Sequence, residues 1–534
     1  MTLVNLLVLS LAVFASSQEQ VKLSDLVQCS LAPQVIALLE SEQANLAGSR
    51  LILELIPNHS GYGGGEIERR VIMKSTPIAS WSLQDPAVEL DLATGSLIAG
   101  TPEVSYPSHW DGLEGAFLLS PRLLIDLGPG TAPQRVSGPE VEVSLGAENE
   151  DVIILELDEI LSGIKSEDLP NSNVIEIEIG SPLLEGPIGS RREIGDRTHR
   201  AYVVVPMDYH TLNATRRRWP VVYVIPGESS APETAAVLNR LANEPSMKNI
   251  LPQAIWVVLD PHTAYGHHFF LDSEFHGLRS RALVEEFVPW IDVRFRTIPQ
   301  SDARILVGEQ QGGASVLHLL AEHGEIFSNA WSTSPEAVSF SALGHINLYE
   351  DVNCFAEADG RPKPALRSPL GPDRVLVHLD VQDEVMRSRV LEPTEKARDR
   401  WHELCAVFGG GFGNSLEDWW PFDPVTGATR PAQVGRWTQN DLARAMRLSP
   451  DRARQLRERA RILIGARDEY YRNLGTRSLA DAVEQSLAAE GITAKHEAWI
   501  EEIESASSLE VTMIANMRRN EEIIELLKKR GHHE

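Results

Sequence analysis

Residues 304–313 are Arg-Ile-Leu-Val-Gly-Glu-Gln-Gln-Gly-Gly, and this stretch decides the fold class. The short apolar run favours a buried strand, and the glycines after it permit a sharp turn. Residues 312–323 then have the composition of a helix, so the segment predicts a strand, a tight turn and a helix. Such units are typical of α/β proteins.

The same alternation continues through the second part of the chain. Buried strands are predicted at 221–225, 254–259, 304–307 and 461–464, with helices at 278–295, 312–323 and 476–490. This rhythm predicts a mainly parallel sheet covered on both faces. We expect reactive groups at the carboxyl ends of its strands.

An earlier region has a different pattern, in which short runs with apolar and polar residues in alternation are separated by turn residues. The runs are 50–56, 87–92, 123–127, 141–145 and 152–157. They predict an antiparallel β-sandwich over 18–165. The α/β domain is then predicted over 175–534, with an irregular insertion at about 350–450 over the edge of its sheet.

The N-terminus predicts export. An apolar run at 3–14 precedes the small residues Ala15, Ser16 and Ser17, which is the layout of a signal peptide at 1–17. A buried N-terminal helix is the alternative. We expect a secreted or periplasmic protein whose mature chain begins between Ser16 and Glu19.

Charge and composition exclude several classes of partner. The 534 residues include 49 Lys and Arg against 76 Asp and Glu, a formal net charge of −27, so nucleic acid and anionic membrane surfaces are disfavoured. The three cysteines, Cys29, Cys354 and Cys405, are too few and too far apart for a disulfide framework or a CxxC zinc site. We expect no metal and no cofactor, and treat the histidines near 267 as part of the scaffold rather than as zinc ligands.

The segment that begins at 304 has the architecture of a nucleophile elbow, G-x-S-x-G, which lifts its central residue above the sheet. The central residue here is Gln310, flanked by Glu309 and Gln311. A primary amide has no ionisable nucleophile, so a covalent acyl intermediate is not available at this position.

The surrounding segments resemble the esterase-D-type family of α/β-hydrolases. The resemblance covers about 180–350 clearly and 420–505 more loosely, and a weaker one links the N-terminal region to the β-domain of large secreted members. It is carried by Pro220–Gly227, Tyr265–Ser273, Ala282–Pro289, Gly308–Gly313, Trp331–Pro335 and Ile346–Tyr349. The family's elbow is G-H-S-S-G-G, so Gln310 stands where the nucleophile would be.

The resemblance implies where the rest of the catalytic machinery would lie. Asp468, in Gly465-Ala-Arg-Asp468, matches the family's acid, while Ser507 or Ser508 stands where its histidine would follow the last strand. The oxyanion loop is altered to Pro226-Gly227-Glu228, and a carboxylate at Glu228 would repel a developing oxyanion. The candidate ligand-binding residues are Gly227, Glu228, Glu309, Gln311, His267 and Trp331.

Three replaced parts of one site indicate that hydrolysis has been lost. We therefore predict a secreted esterase-like α/β-hydrolase homologue that binds a small molecule or carbohydrate without cleaving it. The alternatives are an active carboxylic-ester hydrolase, acting for instance on acylated carbohydrate, and a structural partner of an active homologue. If Asp468 is stranded, its replacement by Asn changes stability by no more than about 0.5 kcal/mol. Activity would then return only when Gln310→Ser is combined with His at 507 or 508.

Overall fold

The chain divides into two compact units, one ending at Leu161 and one containing the residues after it. The computed structural model describes 27–41, 44–57, 78–99, 104–106, 115–126, 134–145, 153–161, 173–185, 197–212, 216–227, 229–243, 250–263, 265–369, 375–391, 400–410, 416–492 and 499–532. The predicted signal peptide and Glu228 lie outside these ranges. No helix within them has the length and apolar character needed to cross a membrane.

The first unit contains two sheets. Its strands, β1 to β11, are Val27–Leu31, Asn45–Pro57, Ile78–Ser82, Val88–Asp91, Ser96–Ala99, Val104–Tyr106, Gly115–Asp126, Gln134–Ser137, Val141–Leu145, Ile153–Leu157 and Glu159–Leu161, with one helix at Pro33–Leu39. The larger sheet has the order β11-β8-β7-β2-β3-β6, with β9 also on β7, and is antiparallel. The smaller sheet, β10-β1-β5-β4, is mixed because β1 and β10 are parallel. The prediction of a purely antiparallel unit is wrong at this pair, since period-two runs do not encode strand direction.

The second unit is built on an eight-stranded sheet of order β12-β13-β15-β14-β20-β21-β24-β25. The strands of this unit, β12 to β25, are Val174–Gly180, Thr198–Val204, Val221–Ile225, Ile255–Leu259, His262–Thr263, Gly266–His267, Asp272–Ser273, Gly277–Leu278, Arg304–Glu309, Asn329–Thr333, Pro364–Pro369, Val375–Asp380, Ala460–Gly465 and Ile500–Ile503. Six neighbouring strands of this sheet, β15, β14, β20, β21, β24 and β25, are parallel to one another. β12 and β13 add an antiparallel edge. The predicted α/β class with a mainly parallel sheet is confirmed.

Helices follow most of the parallel strands. The α-helices of the second unit are Pro182–Glu185, Ala231–Asn243, Arg279–Ala282, Val288–Arg294, Gln311–Glu322, Val381–Leu391, Arg400–Phe408, Pro431–Trp437, Leu442–Leu448, Pro450–Arg459, Arg472–Ala489 and Ser508–Lys529. A π-helical turn joins two of them at Leu283–Phe287, and 3-10 turns lie at Met207–His210, Ser301–Ala303, Leu416–Trp419 and Thr438–Asn440.

Both faces of the large sheet are buried, which explains the continuous apolar runs of its strands. In β14, the side chains of Val221, Tyr223 and Ile225 pack in the larger apolar cluster. Those of Val222 and Val224 pack in a second cluster on the opposite face.

The insertion leaves the large sheet between two of its inner strands. It connects β21 to β24, which are neighbours inside the sheet, whereas the edges are β12 and β25. Its helix Arg400–Phe408 therefore reaches the carboxyl ends of the central strands, where the elbow lies.

Candidate active site

The backbone of the predicted elbow is present, with Gln310 at its tip. β20 ends at Glu309, Gln310 has φ 52° and ψ −114°, and helix Gln311–Glu322 begins at the next residue. Residues with a side chain rarely adopt this conformation. Two backbone hydrogen bonds hold the turn: Gln310 N–H donates to Thr333 O at 2.8 Å, and Glu336 N–H donates to Gln310 O at 3.0 Å.

Two glycines allow the strand and helix to meet at this sharp angle. A Cβ on Gly308 would overlap the carbonyl of Gly312, and a Cβ on Gly312 would overlap the carbonyl of Ile225. The glycine pattern therefore reflects close backbone contacts that admit no side chain.

The Gln310 side chain itself lies against the loop that follows β14. A Cβ built on Gly227 would be 2.6 Å from Gln310 Oε1 and 2.9 Å from Gln310 Cβ. Gly227 belongs to the loop that the resemblance identifies with the oxyanion site. The amide thus takes up space beside the loop that would face a substrate carbonyl in an active member.

His267 is a structural residue of the same region. Its side chain is fully buried, its Nδ1 accepts a hydrogen bond from Phe269 N–H at 2.9 Å, and its Nε2 is 3.0 Å from Pro226 O. These partners require the neutral Nε2–H tautomer, and burial holds the pKa of His267 well below its usual value. Because both ring nitrogens are occupied, this imidazole cannot serve as a general base in this arrangement.

The insertion contacts the elbow through Gln311. Gln311 Nε2 donates to Glu403 Oε2 at 3.3 Å, and among the described residues its Oε1 is buried without a hydrogen-bond partner. The Glu403 side chain also occupies the space where a Cβ on Gly266 would lie. Helix Arg400–Phe408 therefore closes on both the elbow and the loop that carries His267.

A buried ionic cluster continues this contact. Arg400 donates to Glu336 Oε1 from Nε at 3.1 Å and from Nη2 at 3.0 Å, and its Nη1 is 3.2 Å from both oxygens of Glu384. Trp401 Nε1 donates to Glu384 at 2.9 Å. Burial raises the pKa of Glu384, although Arg400 opposes that shift. Arg400 therefore forms ion pairs with both carboxylates, Glu336 and Glu384.

Glu309 and Trp331 face the C-terminal helix Ser508–Lys529. Glu309 Oε1 is 3.9 Å from Arg519 Nη1, and burial raises the pKa of this carboxyl while Arg519 opposes the shift. Trp331 is 7% exposed and donates from Nε1 to Glu522 at 2.7 Å. Trp331 packs beneath this helix, in one apolar cluster with Ile523 and Leu527.

Asp468 follows β24 as expected, but it is not a stranded carboxylate. It is 0% exposed, and both of its oxygens are 3.0 Å from Arg472 Nε. Its Oδ1 also accepts from the backbone N–H groups of Tyr470 at 3.1 Å and Arg472 at 3.0 Å. The carboxylate therefore stabilises the start of helix Arg472–Ala489.

Ser507 and Ser508 have structural roles at the start of the last helix. Ser507 is its N-cap and forms a capping box, since its Oγ accepts from Glu510 N–H at 3.4 Å and its N–H donates to Glu510 Oε2 at 2.8 Å. Ser508 N–H donates to Glu469 Oε2 at 3.0 Å, which links this loop to the one that carries Asp468. The structure therefore brings these two loops into contact, and the sequence has no histidine between 499 and 509.

Sequence reasoning missed the residues that engage this site from elsewhere. The pairing of Asp468 with Arg472 had a local signal, the i to i+4 spacing of opposite charges. The contacts of Glu336 with Arg400 and of Gln311 with Glu403 had none, because each joins residues more than sixty positions apart. Within the described ranges, no group of three or more His, Cys, Asp or Glu side chains is placed to hold a metal ion.

Comparisons with known proteins found distant solved structures and a family match. Similar solved structures include a ferulic acid esterase from Anaeromyces mucronatus in complex with ferulic acid, at 11% identity and TM-score 0.31, covering 65% of this chain and 88% of that one. An S-formylglutathione hydrolase from Agrobacterium tumefaciens has 13% identity and TM-score 0.36, with coverage of 66% and 94%. The enterobactin esterase of Shigella flexneri has 14% identity and TM-score 0.31, with coverage of 68% and 61%. No curated protein sequence matches the chain.

The family assignment rests on the sequence match rather than on these distant structures. The family model described as "Putative esterase" matches residues 193–499, which is more than half of the 534 residues. The matched region contains the elbow and Asp468. The chain therefore belongs to the Putative esterase family.

Proposed function

We propose that this esterase-family chain binds a small-molecule or carbohydrate ligand at the elbow without hydrolysing esters. The observation that carries the proposal is the Gln310 side chain, which stands at the tip of an intact elbow with its amide oxygen against Gly227. An amide in this position supplies no nucleophile and fills space that a substrate carbonyl would need.

The other parts of the site support the same proposal. Asp468 is bound to Arg472, so it is not free to orient an imidazole. The positions at Ser507 and Ser508 hold a capping box and a backbone hydrogen bond to Glu469. His267 is neutral and occupied at both nitrogens. Each of these candidate catalytic residues therefore has a structural role.

An ester-cleavage assay beside a binding measurement tests this proposal. Methyl ferulate and p-nitrophenyl butyrate should not be turned over above the buffer rate, while calorimetric titration with ferulic acid should show saturable binding. Gln310→Ala should change that affinity at least about threefold, a difference of about 0.65 kcal/mol. Gln300→Ala, at an exposed position outside both proposed sites, is the matched control and should leave it unchanged.

An active carboxylic-ester hydrolase is the second candidate. The observation that favours it is the strained backbone at Gln310, since such strain is commonly retained where function requires it. Catalytic turnover by the unmodified chain would establish this alternative. Absence of both turnover and binding would favour the third interpretation, a structural partner of an active homologue.

We also propose that the chain is exported and that the two sheets of its first unit form a sandwich. The apolar run at 3–14 and the small residues that follow support export. Mass spectrometry of protein recovered outside the cytoplasm should show a terminus between Ser16 and Glu19. An intact Met1 in the cytosolic fraction would contradict export.

A further inference from the structure

A surface cavity of about 420 Å³ lies in the insertion, away from the elbow residues. It is formed by the 3-10 turn Thr438–Asn440, the helix Leu442–Leu448 and the start of the helix Pro450–Arg459. Its volume is in the range of small-ligand sites, about 300–1,000 Å³. Its lining is mainly polar and includes Arg444 and Arg452.

Arg444 and Arg452 form no direct ion pair in the described part of the chain; Arg452 attracts the Glu322 carboxylate only from a longer distance. Neither guanidinium lies within 4.0 Å of a described carboxylate, whereas Arg454 on the second helix pairs with Asp451 at 3.4 Å and Arg457 pairs with Glu484 at 2.9 Å. Both arginines are exposed, in a chain whose formal net charge is −27. Two guanidinium groups without a direct ion pair beside one cavity favour binding of an anion there.

The one acidic residue of the lining is buried and forms no ion pair with either arginine. Asp441 is 1% exposed, and its Oδ1 accepts from the backbone N–H of Arg444 at 3.1 Å. Its Oδ2 accepts from Phe340 N–H at 3.1 Å and from the Tyr349 hydroxyl at 2.5 Å. The lining therefore carries two positive side chains against one buried carboxylate, which leaves it net positive.

The remaining lining residues suit a phosphorylated molecule. Ser449 is the N-cap of the helix Pro450–Arg459, whose N-terminal end adds partial positive charge. Gln439 and Thr438 supply polar groups, and Leu448, 68% exposed, supplies an apolar surface beside them. The guanidinium group of an arginine often binds a phosphate group through two parallel hydrogen bonds. We propose that this cavity binds the phosphate group of a small molecule between Arg444 and Arg452.

Isothermal titration calorimetry at about 150 mM salt, where the Debye length is about 8 Å, tests the proposal. The probes are phenyl phosphate, inorganic phosphate and benzoate. Saturable binding of phenyl phosphate is expected, with benzoate at least about tenfold weaker. Inorganic phosphate binding as tightly as phenyl phosphate would identify free phosphate as the source of the group; weaker binding would identify a phosphorylated molecule. Either outcome supports a phosphate-binding site at Arg444 and Arg452.

Single-residue variants distinguish a specific phosphate site from general electrostatic attraction by surface arginines. Arg444→Gln and Arg452→Gln should each weaken phenyl phosphate binding at least about tenfold. Arg447→Gln is the matched control, because Arg447 is exposed on the same helix as Arg444 but does not line the cavity. Its affinity should change less than about twofold. Thermal unfolding checks that each variant is folded.

Three results would overturn the proposal. They are the absence of saturable binding up to about 10 mM of either phosphate probe, equal affinity for benzoate, and an equal loss in the Arg447→Gln control. None of these results depends on whether the elbow hydrolyses esters, so the two proposals fail separately.

Discussion

The Gln310 backbone holds φ 52° and ψ −114°, a conformation that costs about 1–3 kcal/mol for a residue with a side chain. The contacts of the turn retain it: a hydrogen bond from Gln310 N–H to Thr333 O, one from Glu336 N–H to Gln310 O, and the close approach of Gly308 to Gly312. The backbone geometry of the elbow is therefore retained independently of the chemical nature of the side chain at residue 310. The geometry follows from the glycines, and the chemistry depends on one side chain.

Restoring the nucleophile alone should not restore hydrolysis. We expect Gln310→Ser to leave ester turnover at the buffer rate, because two candidate partners are already engaged: His267 is occupied at both nitrogens and Asp468 is bound to Arg472. The measurement is steady-state cleavage of methyl ferulate, with thermal unfolding to show that the variant is folded. Rapid turnover would reveal a working base elsewhere, with His268 and His496 as the first residues to test.

Asp468 should matter for stability rather than catalysis, which revises the neutral effect expected from the sequence. Asp468→Asn removes the carboxylate from a buried ion pair with Arg472, which is 5% exposed, so we expect a loss of about 3–5 kcal/mol in the free energy of unfolding. Arg518→Gln, which breaks an exposed pair with Glu501, is the control and should cost less than about 1 kcal/mol. Urea denaturation measures both. A loss for Asp468→Asn as small as the control's would return Asp468 to the role of a stranded acid.

At the scale of elements, the sequence predicted those strands whose pattern is local. β14 and β9 have the bounds predicted for them, and the elbow lies between the strand and helix expected there. β12 and β13 and the parallel pairing of β1 with β10 were not predicted, because strand partners depend on long-range contacts. The same reason hid the position of the helix Arg400–Phe408 over the elbow.

The last helix constrains any repair of the site. Ser507→His would remove the side-chain oxygen of the capping box, and we expect a loss of about 1 kcal/mol in the free energy of unfolding. Ser508→His should cost less, because the bond from Ser508 to Glu469 uses its backbone N–H. Chemical denaturation of the two variants side by side checks this order, and an equal or reversed cost would show that the capping box does not stabilise the helix. A histidine at 508 is therefore the better partner for Gln310→Ser, although Arg472 still holds the acid.

At the scale of the whole molecule, buried neutral histidines predict a loss of stability in acid. Burial lowers the pKa of His276 to about 3 and of His318 to about 4, and holds the pKa values of His267 and His268 well below the usual 6.5. The unfolded chain therefore binds more protons below pH 6.5, so stability is present above that pH and falls as the pH drops toward the folded pKa values. Each histidine contributes a slope of about 1.4 kcal/mol per pH unit in this window.

The slope can be assigned to single residues by substitution. The free energy of unfolding of the second unit, measured by urea denaturation between about pH 6.5 and 4.5, should rise with pH. His318→Gln should lower the slope by about 1.4 kcal/mol per pH unit, because one differential proton is removed. His210→Gln, at an exposed site, is the control. An unchanged slope in the His318 variant would mean that this histidine is protonated in the folded protein.

The central claim, that an intact elbow carries no working nucleophile, is tested most directly by intact-mass spectrometry after treatment with a fluorophosphonate probe. These probes add covalently to activated serine hydroxyls. We predict that the mass of the unmodified chain stays unchanged, as it should also for Gln310→Ala, because residue 310 offers an amide and the imidazole of His267, in the same region, is occupied at both ring nitrogens. A stoichiometric adduct on any serine, accompanied by ester turnover, would contradict the account.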